Sequence, residues 1–221
     1  MENKKELALI DFCGTVVSKD TADFYVYSYL KKRKKFIKIF LYILIKFLNI
    51  SFLYSLFINR KISKKELFLL LIKGESKKNL ERFAKIYSKN LRDYEIEIMN
   101  RKIKYHLNSN HKIIILSAGY SIYIKEYFKN LPILVVANEF KYNNNKFTGT
   151  LQKSDCIKKQ KVVRLKEKLD FNNFYIYSYS DSKYDVPMLE IANEKNVITT
   201  KNNLPWASEL GANILSYKKY N

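Results

Sequence analysis

Leu7-Ala8-Leu9-Ile10-Asp11-Phe12-Cys13-Gly14-Thr15 is the stretch on which the fold turns. Four apolar residues run without interruption into an aspartate, and a glycine and a threonine follow three and four residues later. A continuous apolar run of this length reads as a strand buried on both faces, as in parallel sheets. A carboxylate at its C-terminal end stands where open α/β sheets bind their ligands. Asp11 on its own could cap a helix or close a turn, but a carboxylate after four apolar residues rarely ends a strand idly.

Working outward, residues 6–12 are predicted as a strand and Gly14 to Asp20 as a loop. From Thr21 to about Lys104 the pattern is helical throughout, with a single glycine, Gly74. Ser63-Lys64-Lys65-Glu66 has the form of a capping box opening a helix through Leu67–Ile72, and Ser76 opens another toward Asn90. After His111 the period changes. Residues 112–117, 131–137, 174–179 and 196–199 read as strands, the last of them closing the sheet. Helices are predicted over 120–130, 158–169 and 187–193, with a hairpin over 139–151 turning at Asn143-Asn144-Asn145. Strands alternating with helices argue for an α/β fold with a parallel sheet, into which residues 21–104 are inserted as a helical block.

The chain has 221 residues, 47% of them hydrophobic and 28% charged, which suits a globular domain with an insertion. Met1-Glu2-Asn3-Lys4-Lys5 leads straight into the first strand, without the apolar region of a signal peptide. Two cysteines, Cys13 and Cys156, fit a reducing, cytoplasmic compartment better than a disulfide framework. The net charge of +20, from 41 Lys+Arg against 21 Asp+Glu, favours anionic partners. Only six of those cations are arginine, however, and they are dispersed. That pattern fits a solvated lysine-rich surface better than a specific nucleic-acid site. Residues 36–58 form an apolar segment preceded by Lys31-Lys32-Arg33-Lys34-Lys35. Lys38, Lys46, Asn49 and Ser51 interrupt it, so two packed helices broken near Asn49-Ile50-Ser51 are preferred. Peripheral attachment of 31–58 to an anionic membrane is the second reading and a transmembrane span the third. His106 and His111, at the entry to the second strand, are read as surface or boundary residues.

Four separated pieces carry a resemblance. The first is Asp11-Phe12-Cys13-Gly14-Thr15, and the second is Ser117-Ala118-Gly119 at the end of an isoleucine-rich strand. The third is Lys161, five residues after Cys156, and the fourth is Asp181-Ser182-Lys183-Tyr184-Asp185. In that order they resemble the four motifs of the haloacid dehalogenase (HAD) superfamily, with Cys13 where its phosphatases carry a second aspartate. The helical insert and Thr148-Gly149 resemble the branch that contains phosphoserine phosphatase. The resemblance covers residues 6 to about 215. It implies a Rossmann-like core of residues 1–20 and 105–221 with a C1-type cap of residues 21–104.

What the resemblance further implies is a Mg²⁺-dependent phosphatase acting on a small phosphorylated substrate. Asp11 would be the nucleophile that forms an aspartyl-phosphate, and Lys161 would neutralise charge. Thr15, Ser117, Ala118, Gly119 and Lys161 would hold the phosphoryl group. Asp11, the carbonyl of Cys13, Asp181 and Asp185 would hold the metal. Cys13 is a poor replacement for a carboxylic acid, because a free thiol titrates near 8.5. Asp20, in a position where related proteins carry a cap-facing acid, is a candidate substitute, and Asp23 lies close by. A slow enzyme, a transferase to an acceptor other than water, and a phosphate-binding regulatory module stay open as alternatives. The run Asp-Phe-Cys-Gly-Thr followed by Thr21-Ala22-Asp23 resembles members found with surface-polysaccharide genes, which implies a phosphorylated sugar or amino-alcohol. Simpler readings stand beside each assignment: Ser117 as a helix cap, Asp181 and Asp185 as caps of the helix near Pro187, and Lys158 or Lys159 in place of Lys161.

Overall fold

A computed structural model describes residues 4–48, 62–201 and 204–218. Among the described residues, strand β1 (Lys5–Ile10) is followed by five α-helices: α1 (Thr21–Lys32), α2 (Phe36–Phe47), α3 (Lys64–Leu71), α4 (Lys77–Asn90) and α5 (Glu97–Asn108). Then come β2 (Lys112–Tyr120), α6 (Ser121–Tyr127), β3 (Ile133–Asn138), the hairpin β4 (Phe140–Asn143) and β5 (Lys146–Leu151), and α7 (Lys159–Lys166). The chain ends in β6 (Phe174–Ser180), α8 (Val186–Glu190), β7 (Glu194–Thr199), α9 (Pro205–Glu209) and β8 (Asn213–Ser216).

Six strands form one sheet in the order β3-β2-β1-β6-β7-β8, every adjacent pair parallel. The apolar runs of β1 and β2 are continuous because both faces of the sheet are covered. Leu7 and Leu9 join Ile114 and Leu116 in a core with Leu165 of α7 and Met188 of α8. Ala8 and Ile10 point the other way, into a larger core with Ile113, Ile115, Ile103 of α5 and Ile124 of α6. Each such fully buried aliphatic side chain contributes about 1.5–3 kcal/mol relative to exposure. From β1 the chain builds outward through β2 and β3, then returns to β6 on the opposite side. The switch point therefore falls at β1, the crevice where sheets of this kind bind ligands.

The strand expected to be last is not the sheet edge. β8 follows it and pairs with β7, with Val197 level with Ile214. Its residues are mostly exposed and show no alternation, which is why no strand pattern marks it. β2 continues to Tyr120 beyond the expected end at residue 117, so α6 starts later than predicted. The hairpin turn lies at Asn144-Asn145, both with positive φ, a conformation asparagine tolerates better than most residues. The hairpin rests on the helical insert: Gly74 donates to the Phe147 carbonyl and Lys77 to that of Asn145.

The expected boundary between insert and core at residues 104 and 105 lies inside α5. That helix packs on the sheet through Met99, Ile103 and His106. His106 is therefore buried rather than superficial. Its Nε2 meets the Tyr179 hydroxyl at 2.9 Å and its Nδ1 meets that of His111 at 2.8 Å. The spacing 99, 103, 106 is one face of a helix, so the signal was present in the periodicity.

The Ser63 capping box is formed as expected, the Ser63 hydroxyl accepting from the Glu66 N–H. The apolar segment begins as α2, and its expected break near Asn49-Ile50-Ser51 lies outside the described residues. Among the described residues no helix is long and apolar enough to cross a membrane.

Candidate active site

Register brings the site together. Ile10 is level with Ile115 of β2 and Tyr179 of β6, so Asp11 leaves the sheet beside Leu116 and Ser180. The Asp11 N–H still donates to the Tyr179 carbonyl at 3.0 Å, fixing the backbone as it turns away. Phe12 then inserts into the core, edge-on to Tyr127 at 5.2 Å and to Phe128 at 5.9 Å. The Val16 and Val17 N–H groups return to the Phe12 carbonyl, and Gly14 donates to Val17 at 2.7 Å. Gly14 has φ +77, and a Cβ there would collide with the Asp181 carboxylate. The glycine thus serves both a left-handed turn and a close approach.

Four side chains form one chain of contacts. Lys161, in the first turn of α7, donates to Asp11 Oδ1 at 2.6 Å and to Asp185 Oδ2 at 2.7 Å. The Ser180 hydroxyl donates to the same Asp185 oxygen at 2.7 Å. All four are buried. Lys158 and Lys159 are exposed, so the alternative assignments of the lysine fall away. Asp185 stands at the start of α8 but caps nothing with its side chain, being engaged with Lys161. Asp181 follows β6, and its N–H donates to the Thr15 hydroxyl at 3.0 Å, which in turn donates to Asp181 Oδ1 at 3.3 Å.

The electrostatics follow from three carboxylates sharing one buried cation. Burial pushes Asp11 up to about 7; Lys161 works against the rise, and Asp185 and Asp181 add to it. Asp181 is pushed up to about 6, first by loss of solvent around its carboxylate and then by Asp185. Burial works to lower Lys161, but Asp11 and Asp185 outweigh it and hold the ammonium charged. The site carries an excess of negative charge among hard oxygen donors.

These groups open into a cavity of about 450 Å³. Asp11, Cys13, Gly14, Ala118, Lys161, Asp181 and Asp185 form its floor on the sheet side. Asp20, Asp23 and Lys65 close it from the insert. Asp20 is the N-cap of α1, its Oδ1 accepting from the Ala22 N–H at 3.3 Å. Asp23 lies in the first turn of that helix, and burial followed by the charge of Asp20 pushes it up to about 6. Lys65, on α3, donates to the Ala118 carbonyl at 2.9 Å and to both Asp155 oxygens. Its role was hidden in the sequence, where it is one lysine in a capping box and only the register of α3 turns it inward.

Thr15, Ser117 and Gly119 stand behind the cavity wall. The Thr15 hydroxyl is engaged with Asp181. Ser117 lies within β2, not at a helix cap, and its hydroxyl accepts from the Gly119 N–H at 3.0 Å. A Cβ on Gly119 would meet the Tyr123 hydroxyl at 2.6 Å. Cys13 faces the cavity with its sulfur 2.8 Å from the Thr21 hydroxyl, itself 2.6 Å from that of Tyr123. Burial, then the nearby Asp11 charge, pushes the thiol up to about 12. Both cysteines are free.

With this geometry in place, the comparisons with known proteins agree. The haloacid dehalogenase-like hydrolase pattern matches residues 8–190, and the chain belongs to that family. It is therefore an enzyme of the hydrolase class with a Rossmann-like core. A Bordetella pertussis Tohama I protein of unknown function superposes with a TM-score of 0.77 at 18% identity, covering 97% of this chain and 99% of that one. A phosphoserine phosphohydrolase-like protein from Francisella tularensis gives 0.63 at 18%, over 95% and 94%. A phosphoserine phosphatase, solved as a phospho-aspartyl intermediate analogue, gives 0.56 at 19%, over 98% and 95%. At such identities the likeness is one of fold. No curated protein sequence matches the chain.

Proposed function

We propose that the chain is a Mg²⁺-dependent phosphatase acting on a small phosphomonoester. The observation that carries this reading is the Asp11 carboxylate at a strand end, held by Lys161 at the floor of an acidic cavity. In the first step Asp11 attacks phosphorus, the ester P–O bond breaks, and the leaving oxygen takes up a proton. In the second, water adds to phosphorus, the Asp11–phosphorus bond breaks, and inorganic phosphate leaves. Lys161 holds Asp11 in place and offsets charge that builds on the phosphoryl oxygens. The Asp181–Thr15 pair keeps the second carboxylate at the cavity floor.

Among the described residues no three His, Cys, Asp or Glu side chains form a metal-ligating cluster. The donor chemistry still suits Mg²⁺, which takes one or two carboxylates and keeps waters and substrate oxygens as its other ligands. Asp11, Asp181 and the Cys13 carbonyl would hold it, with Asp185 behind them. Mg²⁺ bound there supplies charge neutralisation to a site whose carboxylates outnumber its cations.

Proton transfer is the step this chain must handle differently from its aspartate-bearing relatives. A Cys13 thiol near 12 stays protonated at neutral pH and does not serve as a base. Asp23, near 6, and Asp20 are the cavity's other acids. The same pair complements an amino-alcohol phosphate better than a neutral sugar phosphate, and a role in surface-polysaccharide synthesis accommodates either. The lack of a base at position 13 also supports a second reading, transfer of the phosphoryl group to an acceptor other than water.

A phosphate-release screen with Mg²⁺ tests the proposal on wild type, Asp11→Asn, Cys13→Asp, Asp20→Asn and Asp23→Asn. Asp11→Asn should abolish turnover, and an unchanged rate removes the phosphatase reading. Cys13→Asp should raise hydrolysis by roughly 10²-fold, the lower end of what general acid–base help contributes. A collapse confined to Asp20→Asn or Asp23→Asn identifies the proton carrier.

A further inference from the structure

Among the described residues, helix α2 is seated on the insert by one side alone. Tyr42 and Ile45 are buried, with Tyr42 stacked on Phe68 of α3 at 4.5 Å. Lys38 donates to the Leu71 carbonyl at 2.6 Å, pinning the same side. The opposite side is bare: Phe36 is 73% exposed, Ile37 80%, Phe40 61% and Phe47 77%, with Leu41 and Ile43 flanking them. At 3.6 residues per turn these positions cover roughly 160° of the circumference, and no polar residue interrupts the arc. A monomeric water-soluble surface rarely carries a contiguous large apolar patch.

Charge identifies what the patch fits. Lys31, Lys32, Arg33 and Lys34, all exposed, lead into the first turn of α2. From residue 24 to residue 65 the sequence carries eleven Lys and Arg and no Asp or Glu. Lys35 pairs with Glu75 and Lys65 with Asp155, but an apolar helical face rich in phenylalanine, bordered by the exposed cations of residues 31–34, is the chemistry of a helix lying in the interface of an anionic bilayer. A face built to meet a second copy of so cationic a surface would have to overcome like-charge repulsion at its rim. We propose that α2 docks the protein on anionic membranes, its Phe36–Phe40–Phe47 face entering the lipid interface and residues 31–34 meeting the headgroups. The proposal does not depend on the activity of the cavity.

The full chain is sedimented with vesicles of phosphatidylcholine alone and of phosphatidylcholine with phosphatidylglycerol. Binding is expected to the anionic vesicles only. It should weaken as salt is raised from about 0.1 M to about 1 M, which shortens the screening length from about 10 Å to about 3 Å. Phe40→Glu with Phe47→Glu should abolish pelleting, and Lys31→Gln, Lys32→Gln and Lys34→Gln together should lower it by more than about tenfold. Thermal melts check that the glutamate variant is folded, and Phe40→Ser with Phe47→Ser replaces it if it is not. Wild type left in the supernatant, equal pelleting with neutral vesicles, or binding indifferent to the Phe40 and Phe47 changes overturns the proposal. A concentration-dependent dimer that the same changes dissolve, without vesicle binding, assigns the face to a second copy instead and also overturns it.

Discussion

Lys161 decides the character of the site. It is a buried ammonium that contacts two carboxylates from different elements, and a third, Asp181, stands close enough to raise Asp11 further. Removing one partner of such a pair leaves uncompensated buried charge, which typically costs about 3–5 kcal/mol. Lys161→Met is therefore expected to destabilise the protein by about 3 kcal/mol in chemical denaturation and to lose phosphate release. A stable, active Lys161→Met would mean that the ammonium is neither structural nor catalytic. Cys13 is the second residue that sets the site apart. Its thiol is held beside Thr21 and away from ionisation, so it stays protonated at neutral pH.

Among the elements, the insert helices complete the wall of the cavity. α1 brings Asp20 and Asp23 to the cavity, and α3 brings Lys65. The start of α3 rests on the Ser63–Glu66 capping box, in which the Glu66 carboxylate also accepts from the Ser63 N–H at 2.8 Å. Ser63→Ala should lower stability by about 1 kcal/mol, as the loss of an N-cap hydroxyl typically does. Because the cap sets where Lys65 enters the cavity, the substrate KM should rise while kcat changes little. A variant with unchanged KM would separate the cap from the cavity.

Across the whole molecule, stability couples to the state of the site. Asp11, Asp23 and Asp181 are all held above the usual carboxylate range, so between about pH 4 and pH 7 the folded chain binds more protons than the unfolded chain. Their contribution is present at low pH and is lost as pH rises through that window. His106, pushed down to about 4 by burial and His111, acts in the opposite sense. Asp11→Asn should therefore gain stability relative to wild type as pH climbs from about 4 to about 7, in melts with a chelator present. A difference in Tm that stays flat over that range would show that Asp11 is not strained.

The strands up to β7, the insert, the hairpin and the strand-end acid Asp11 were legible in the amino-acid order because each rests on local pattern: apolar runs, helical period, turn asparagines, and an acid at a strand end. The sequence by itself determined the α/β class; that Asp11, Lys161, Asp181 and Asp185 share one site it implied only through the resemblance of four ordered motifs. Register and packing decided the rest. Only the parallel pairing of β1 with β6 brings Asp11 to Lys161 and Asp185, which lie before and after β6 in the chain. Only the seating of α2 on α3 through Tyr42 decides which of its apolar faces is left exposed. These depend on contacts between segments distant along the chain, which no local periodicity encodes.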